Sequence, residues 1–166
     1  GSAKAWHELM LTHAAGRNLT VVQHSGTDAW RRSCGGQAFA VITEGDIETA
    51  LAIGPRSDAA PCRWHPATLW IGIGCERFSS PDLIERAVDE CLATRGLAKE
   101  AVAGISSIEA KGDEPALLEL CEQRDWPLRL LSASALAAVE VPTPSDVVRE
   151  EMGTASVAEA SALLVS

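Results

Sequence analysis

One stretch, residues 67–83 (ATLWIGIGCERFSSPDL), constrains the fold of this chain more than any other. Its first half, 68–74, is a short apolar run with β-branched and aromatic residues, ended by glycine. That pattern suits a buried strand better than a helix. Its second half reads as a helix start: Ser80 can cap, Pro81 suits the first helical position, and Asp82 sits well at the positive end of the helix dipole. Between them lies a polar loop, 74–79, at the carboxyl end of a strand. Open α/β sheets bind ligands at that edge, and backbone N–H groups at a helix start suit an anion.

The chain beyond this stretch repeats the pattern. A helix over 80–95 carries an apolar stripe of Ile84, Ala87, Val88, Cys91 and Leu92, and Gly96 stops it. Residues 102–108 read as the next strand. Asp113 then caps a helix through Glu122, with Pro115 in the first turn and Leu117, Leu118 and Cys121 facing inward. A third strand spans 127–131. A short helix runs from Ser132 or Ser134 to Ala138, and 140–146 is loop. Residues 147–149 suggest an edge strand, and a last helix covers 156–164. Such β-α-β-α-β-α-(β)-α alternation predicts an α/β fold of three layers, α/β/α, with a mostly parallel sheet.

The chain before it is less regular. Residues 3–15 predict a helix with Ala5, Trp6, Leu9, Met10 and Ala14 on one stripe. Strands are expected at 19–23 and 38–42, with a turn or short helix around Trp30. Residues 43–53 fit either a short helix or a polar turn running into a strand. Residues 54–66, with three prolines and a glycine, read as a linker. The expected division is therefore 1–66, a partial or linker segment, and 67–166, a domain. Gly1-Ser2 reads as the scar of a cleaved tag, and the chain as a piece of a longer protein.

Composition narrows the function. A chain of 166 residues with 46% hydrophobic and 22% charged residues can bury a full core. A formal charge of −9 argues against nucleic-acid binding, which needs a basic surface. No apolar run approaches the roughly 20 residues of a membrane span, so no membrane partner is expected. The five cysteines (34, 62, 75, 91 and 121) form an odd set without CxxC spacing, against a zinc knuckle or a disulfide scaffold. Cys91 and Cys121 read as core packing, and a reduced, cytoplasmic protein follows.

Three constellations carry chemistry. In the first, Gly74, Cys75, Arg77, Ser79 and Ser80 stand in the loop after the key strand. Covalent catalysis by Cys75 or Ser79 lacks a base, since all four histidines (7, 13, 24 and 65) precede Thr68. The GIG triplet does not extend to a dinucleotide fingerprint, because Arg77 stands where the third glycine would fall. The second is the junction 109–115. Lys111 is a candidate ligand contact or a solvated lysine; Asp113 and Glu114 are a cap and a first-turn acid, or an acid/base pair if burial raises a pKa. The third is 153–159, where Ser156 and Glu159 form a capping box and Thr154 adds to an anion site. Topology gathers these junctions on one edge of the sheet, which suits a ligand with several carboxylates.

LWIGIGCERFSS, SSIEAKGDEPALLEL and GTASVAEASALL together resemble the C-terminal domain of the CbiG family of cobalamin-biosynthesis proteins and its stand-alone relatives, the CobE proteins. The likeness covers about 66–164, and residues before it look more weakly like the middle segment of CbiG. The motif positions are Gly72, Gly74, Cys75, Arg77, Ser79 and Ser80, then Lys111, Asp113 and Glu114, then Gly153, Ser156 and Glu159. Glu76 departs from a commonly basic position, and Phe78-Ser79 from a usual Gly-Thr. The resemblance implies a precorrin or cobalt-precorrin ligand, with cobalt present only as part of that substrate and no protein-held metal or other cofactor. It implies either part of a cobalt-precorrin-5A hydrolase, which opens the ring lactone and releases acetaldehyde, or a non-catalytic corrinoid carrier. In the hydrolase reading Glu114 or Asp113 assists water attack, while Arg77 and Lys111 hold carboxylates. Other corrin-pathway enzymes are candidate partners, and a fusion with a precorrin-3B methyltransferase is a candidate source.

Overall fold

The computed structural model describes residues 1–17, 19–30, 40–41, 51–58 and 60–166. They divide into two compact units, one of Gly1–Thr68 with Thr94–Ala101, the other of Leu69–Ala93 with Val102–Ser166.

The first unit opens with helix α1 (Ala3–Ala14), capped by the Ser2 hydroxyl. Four short strands follow: β1 (Thr20–Gln23), β2 (Ala40–Val41), β3 (Leu51–Ile53) and β4 (Cys62–Trp64). They form a parallel sheet in the order β2-β1-β3-β4. Val21, Val22, Ala52, Ile53 and Cys62 are its buried residues. The stretch expected as a linker thus contains a strand: Cys62 pairs with Leu51 and Trp64 with Ile53. Its prolines, 55, 61 and 66, flank β4 rather than interrupt it, as a strand requires. Met10, expected on the buried stripe of α1, is exposed. Of the expected strand 38–42 only Ala40–Val41 is described, and residues 31–39 and 42–50 lie outside the described residues.

The second unit holds the predicted alternation. Strands β5 (Leu69–Gly72), β6 (Val102–Ile108) and β7 (Leu128–Leu131) are parallel, in the order β5-β6-β7. Helix α2 (Pro81–Thr94) connects β5 to β6, and α3 (Pro115–Arg124) connects β6 to β7. Two right-handed crossovers in the same direction place both helices on one face. They are clasped together there by Arg124, which reaches Glu85 at 2.6 Å and Asp89 at 3.0 Å. Helices α4 (Ala133–Ala137), α5 (Asp146–Met152) and α6 (Val157–Val165) follow β7. Ile108 of β6, Leu136 of α4 and Val157 and Ala160 of α6 form one buried cluster on the opposite face, completing three layers.

Small residues make the α6 contact close. A Cβ on Gly72 would lie 1.8 Å from the Ala158 carbonyl oxygen. Ser106, in register with Gly72, is fully buried, and its hydroxyl donates to the Ser161 hydroxyl at 3.2 Å. Gly104 pairs with Trp70, whose ring crosses it to meet the Arg129 guanidinium 4.5 Å from the ring centre. A Cβ on Gly104 would sit 2.5 Å from that ring, so only glycine leaves the ring its place.

Three expectations fail here. Residues 147–149 are helix: α5 is capped by Ser145 and closed by Gly153 at φ 72°. Two valines after two prolines suggest a strand, but the Ser-Asp start and glycine stop decide. Cys91 and Leu118 face solvent, because the buried stripe of α2 is only Ile84, Val88 and Leu92, and that of α3 is Ala116, Leu117 and Leu120. Asp113 does not cap α3; Glu114 occupies the cap position, without a side-chain cap bond.

Candidate functional site

A cleft of about 640 Å³ opens at the carboxyl edge of β5 and β6. One wall is the loop 74–77 after β5. Ile108 and Lys111, at the end of β6, form the floor. The other wall comes from α5 (Val148, Glu151, Met152) and the first turn of α6 (Ser156–Ala158). The site is therefore built from strand ends and a helix N-terminus, the geometry that suits an anion.

Lys111 is the strongest feature of this cleft. A short 3₁₀ turn, Glu109–Lys111, carries the chain off β6 and holds the lysine with only 7% of its surface exposed. Behind it stands Glu114, fully buried, with one carboxylate oxygen 4.0 Å from the ammonium. Neither Glu114 oxygen accepts a hydrogen bond among the described residues. A lysine in that position is no solvated surface cation. Its partner at 4.0 Å is an ion pair without a hydrogen bond, so the ammonium keeps donors for a ligand.

Arg77 contributes a second cation. It donates to Asp113 at 2.9 Å and to the Ala110 carbonyl at 2.8 Å, tying the loop after β5 to the loop after β6. The Ser79 hydroxyl donates to the Glu76 carbonyl at 2.9 Å and closes the same loop from its other side. Cys75 lies between these groups. Partial burial pushes its thiol up; Lys111 and the Ser79 hydroxyl oppose that, and Glu114 adds to it. A neutral thiol is a poor nucleophile.

The structure thus gathers Gly74, Cys75, Arg77, Lys111 and Ser156 on one cleft. Ser79 and Ser80 do not line it: Ser79 braces the loop, and the Ser80 carbonyl accepts the Ile84 N–H at the start of α2. Thr154 is buried and borders a second cleft, of about 440 Å³, with Gly153 and Arg149. Glu114 and Asp113 stand behind the two cations rather than on the cleft wall. The capping box at α6 is half formed. The Ser156 hydroxyl accepts the Glu159 N–H at 3.2 Å, while the Glu159 carboxylate turns to the N–H and hydroxyl of Thr143. Those bonds lower the Glu159 pKa.

Glu151, Met152 and Val148 were missed by sequence reasoning, because their helix was read as loop and strand. The Ser145 cap and Gly153 stop were the signal that could have found them. Glu76 and Glu151 are the carboxylates on the cleft wall. Among the described residues, no helix is long and apolar enough to cross a membrane.

A three-layer α/β domain with a cation-bearing cleft at its sheet edge is the class these features define. The chain belongs to the family described as cobalamin synthesis G C-terminus, whose model matches residues 69–166. It is 28% identical, over 164 residues, to a cobalt-precorrin-5A hydrolase of Priestia megaterium, an alignment covering 89% of this chain and 44% of that protein. It is 30% identical over 100 residues to Protein CobE of a Sinorhizobium species, covering 59% of this chain and 65% of that one. The crystal structure of CobE, a protein from the cobalamin (vitamin B12) biosynthetic pathway, superposes with a TM-score of 0.56 at 34% identity, covering 59% of this chain and 70% of that one. The chain spans less than two thirds of the length of both sequence relatives. Its family places it in cobalamin biosynthesis, and the α/β architecture expected from the sequence is the architecture of CobE.

Proposed function

We propose that the cleft binds a corrinoid intermediate through its peripheral carboxylates, as the C-terminal part of a cobalt-precorrin-5A hydrolase acting in the cytoplasm. The observation that carries this reading is Lys111: a cation buried in the cleft floor, backed by a carboxylate that offers it no hydrogen bond. Burying a charge is costly unless it is used or paired. Arg77 and the α6 N-terminus supply further anion-binding groups, and Ile108, Val148, Met152 and Val157 give the cleft an apolar lining. Precorrins combine an apolar macrocycle with many acetate and propionate groups, the same pairing of surfaces.

In the hydrolase reading, water attacks the lactone carbonyl, and the ring-opened product releases its two-carbon fragment as acetaldehyde. The cations hold the substrate carboxylates and fix the lactone relative to the water. Glu114 and Asp113 assist through the cations they hold, Lys111 and Arg77. A second reading is a carrier that binds without turnover. The likeness to CobE favours it.

Titration with cobyrinic acid, a corrinoid with free side-chain carboxylates, tests the binding site by visible absorbance. Saturable binding is expected, weakened at least about tenfold by Lys111→Ala and by Arg77→Ala, since a charge-assisted hydrogen bond is worth about 1.5–3 kcal/mol. Binding unchanged in both variants would place the ligand elsewhere. Acetaldehyde release from cobalt-precorrin-5A by a full-length protein carrying Glu114→Gln separates the two readings of the carboxylates: unchanged release removes Glu114 from the reaction.

A further inference from the structure

Opening a lactone with water needs a group that takes a proton from that water, and the group has to reach the water itself. Glu114 and Asp113 do not reach it. Glu114 is fully buried behind Lys111, Asp113 is bound to Arg77 at 2.9 Å, and neither lines the cleft. No histidine lines it either. The Ser145 and Ser156 hydroxyls on its wall are engaged as helix caps, accepting the N–H groups of Val148 and Glu159. The Cys75 thiol, pushed up by burial, keeps its proton at neutral pH and is no base. Two carboxylates remain on the lining, Glu76 and Glu151. Both are exposed, and neither side chain is hydrogen-bonded or ion-paired among the described residues.

Their places differ. Glu76 shares its loop wall with Arg77, so it stands beside a cation that holds ligand carboxylates. Glu151 stands on the other wall, on α5, next to the apolar side chains that line the cleft. That helix is fixed in rotation. Val148 and Met152, one turn apart, pack on the cluster of Ile108, Leu136, Val157 and Ala160. The Ser145 N–H donates to the Ala155 carbonyl at 2.8 Å, and Gly153 closes the far end. Glu151 follows Val148 by three residues and so shares its side of the helix.

We propose that Glu151 is the catalytic base that activates water for lactone opening, on the wall opposite the Arg77 loop. The proposal rests on the hydrolase reading and names the group that touches the reacting water. The Glu151 carboxylate takes one proton from the water, whose oxygen bonds to the lactone carbonyl carbon. The ring C–O bond breaks, and the departing alkoxide takes the proton back from Glu151. Water is the only co-reactant, and Glu151 ends as it began.

The test uses full-length protein and cobalt-precorrin-5A, with acetaldehyde release, cobyrinic acid binding and Tm measured for wild type, Glu151→Gln and Glu76→Gln. Glu151→Gln is expected to lower kcat at least about a hundredfold, to leave Tm unchanged, and to bind cobyrinic acid as tightly as wild type or more tightly, since a negative charge has left the wall. Its residual rate should rise with hydroxide concentration. Wild-type kcat in Glu151→Gln overturns the assignment, and so does a loss of turnover found in Glu76→Gln alone, which would move the base to the loop. A loss of turnover matched by a loss of binding also overturns it, because Glu151 would then hold the ligand and not the water. Wild-type protein that binds cobyrinic acid yet releases no acetaldehyde overturns the hydrolase reading, and this proposal with it.

Discussion

Lys111 and Glu114 form a buried pair whose members depend on each other. Removing one partner of such a pair costs about 3–5 kcal/mol, because the other charge stays buried alone, whereas replacing both with apolar residues of similar size is often neutral. Glu114→Ala is therefore expected to destabilise the protein by about 3 kcal/mol in urea unfolding. The double variant Lys111→Met with Glu114→Leu should return to within about 1 kcal/mol of wild type, and still bind no cobyrinic acid. A double variant as unstable as Glu114→Ala would show that the pair contributes packing that its apolar replacements lack. Asp125 offers the opposite case. Its left-handed φ of 53° suits glycine better, so Asp125→Gly should raise stability by about 0.5–1 kcal/mol in the same assay. For Cys75, burial raises the thiol pKa, so the reactive thiolate is scarce near neutral pH. Alkylation by iodoacetamide, followed by mass spectrometry of the Cys75 peptide, should be slow at pH 7 and accelerate as pH rises past 9. A rate already at its plateau at pH 7 would contradict that environment.

Between elements, the decisive contact is α6 against β5. Gly72 leaves no room for a side chain, since the Ala158 carbonyl would lie 1.8 Å from a Cβ. Gly72→Ala should cost about 2–3 kcal/mol, the typical penalty of overpacking a close contact. It should also weaken ligand binding, because the first turn of α6 is a wall of the cleft. An alanine variant with wild-type stability would mean that α6 moves aside freely. This contact was only half legible in the sequence. The glycines of WIGIG announced a strand ended by a loop, and Ser156 announced a helix cap, but nothing local tied one to the other across 84 residues. The strands β5, β6 and β7 and the helices α2, α3 and α6 were legible because each strand is a short apolar run and each helix carries an apolar stripe with a start signal, proline in the first turn of α2 and α3 and the Ser156 cap of α6. Cys91 was misplaced because a small residue beside the Ile84-Val88-Leu92 stripe looks the same whether it faces the sheet or solvent. Lys111 was legible as a candidate cation; its burial was not, because burial is a property of the packed fold, where Glu114 stands 4.0 Å from its ammonium. The α5 contribution stayed hidden because valines outweighed the Ser145 cap in the reading of that segment.

At the scale of the whole molecule, the chain changes unit at three points: after Thr68, after Ala93 and after Ala101. The segment Thr94–Ala101 belongs with the first unit and is held there by backbone bonds. Gly96 O accepts the Ser57 N–H at 2.9 Å, and Pro55 O accepts the Ala98 N–H at 2.8 Å. A fragment of residues 67–166 retains β5, β6, β7 and all five helices of their unit, and should fold. Its amide exchange should then differ from that of the 166-residue chain at Ala98 most of all, with the N–H freed from Pro55 exchanging fast. Full protection of Ala98 in the fragment would show that the segment finds equivalent partners without the first unit.

The contact between Gly72 and Ala158 also sets a schedule for biosynthesis. On the ribosome β5 emerges early, but the cleft gains its second wall only when residues 145–158 follow. At about 5–20 residues per second, that interval lasts several seconds. During it the loop 74–77 and Lys111 are already outside the exit tunnel, with no opposing wall. A nascent chain at that stage lacks the enclosed cleft, and any ligand that needs both walls can be held only once most of the second unit has left the ribosome.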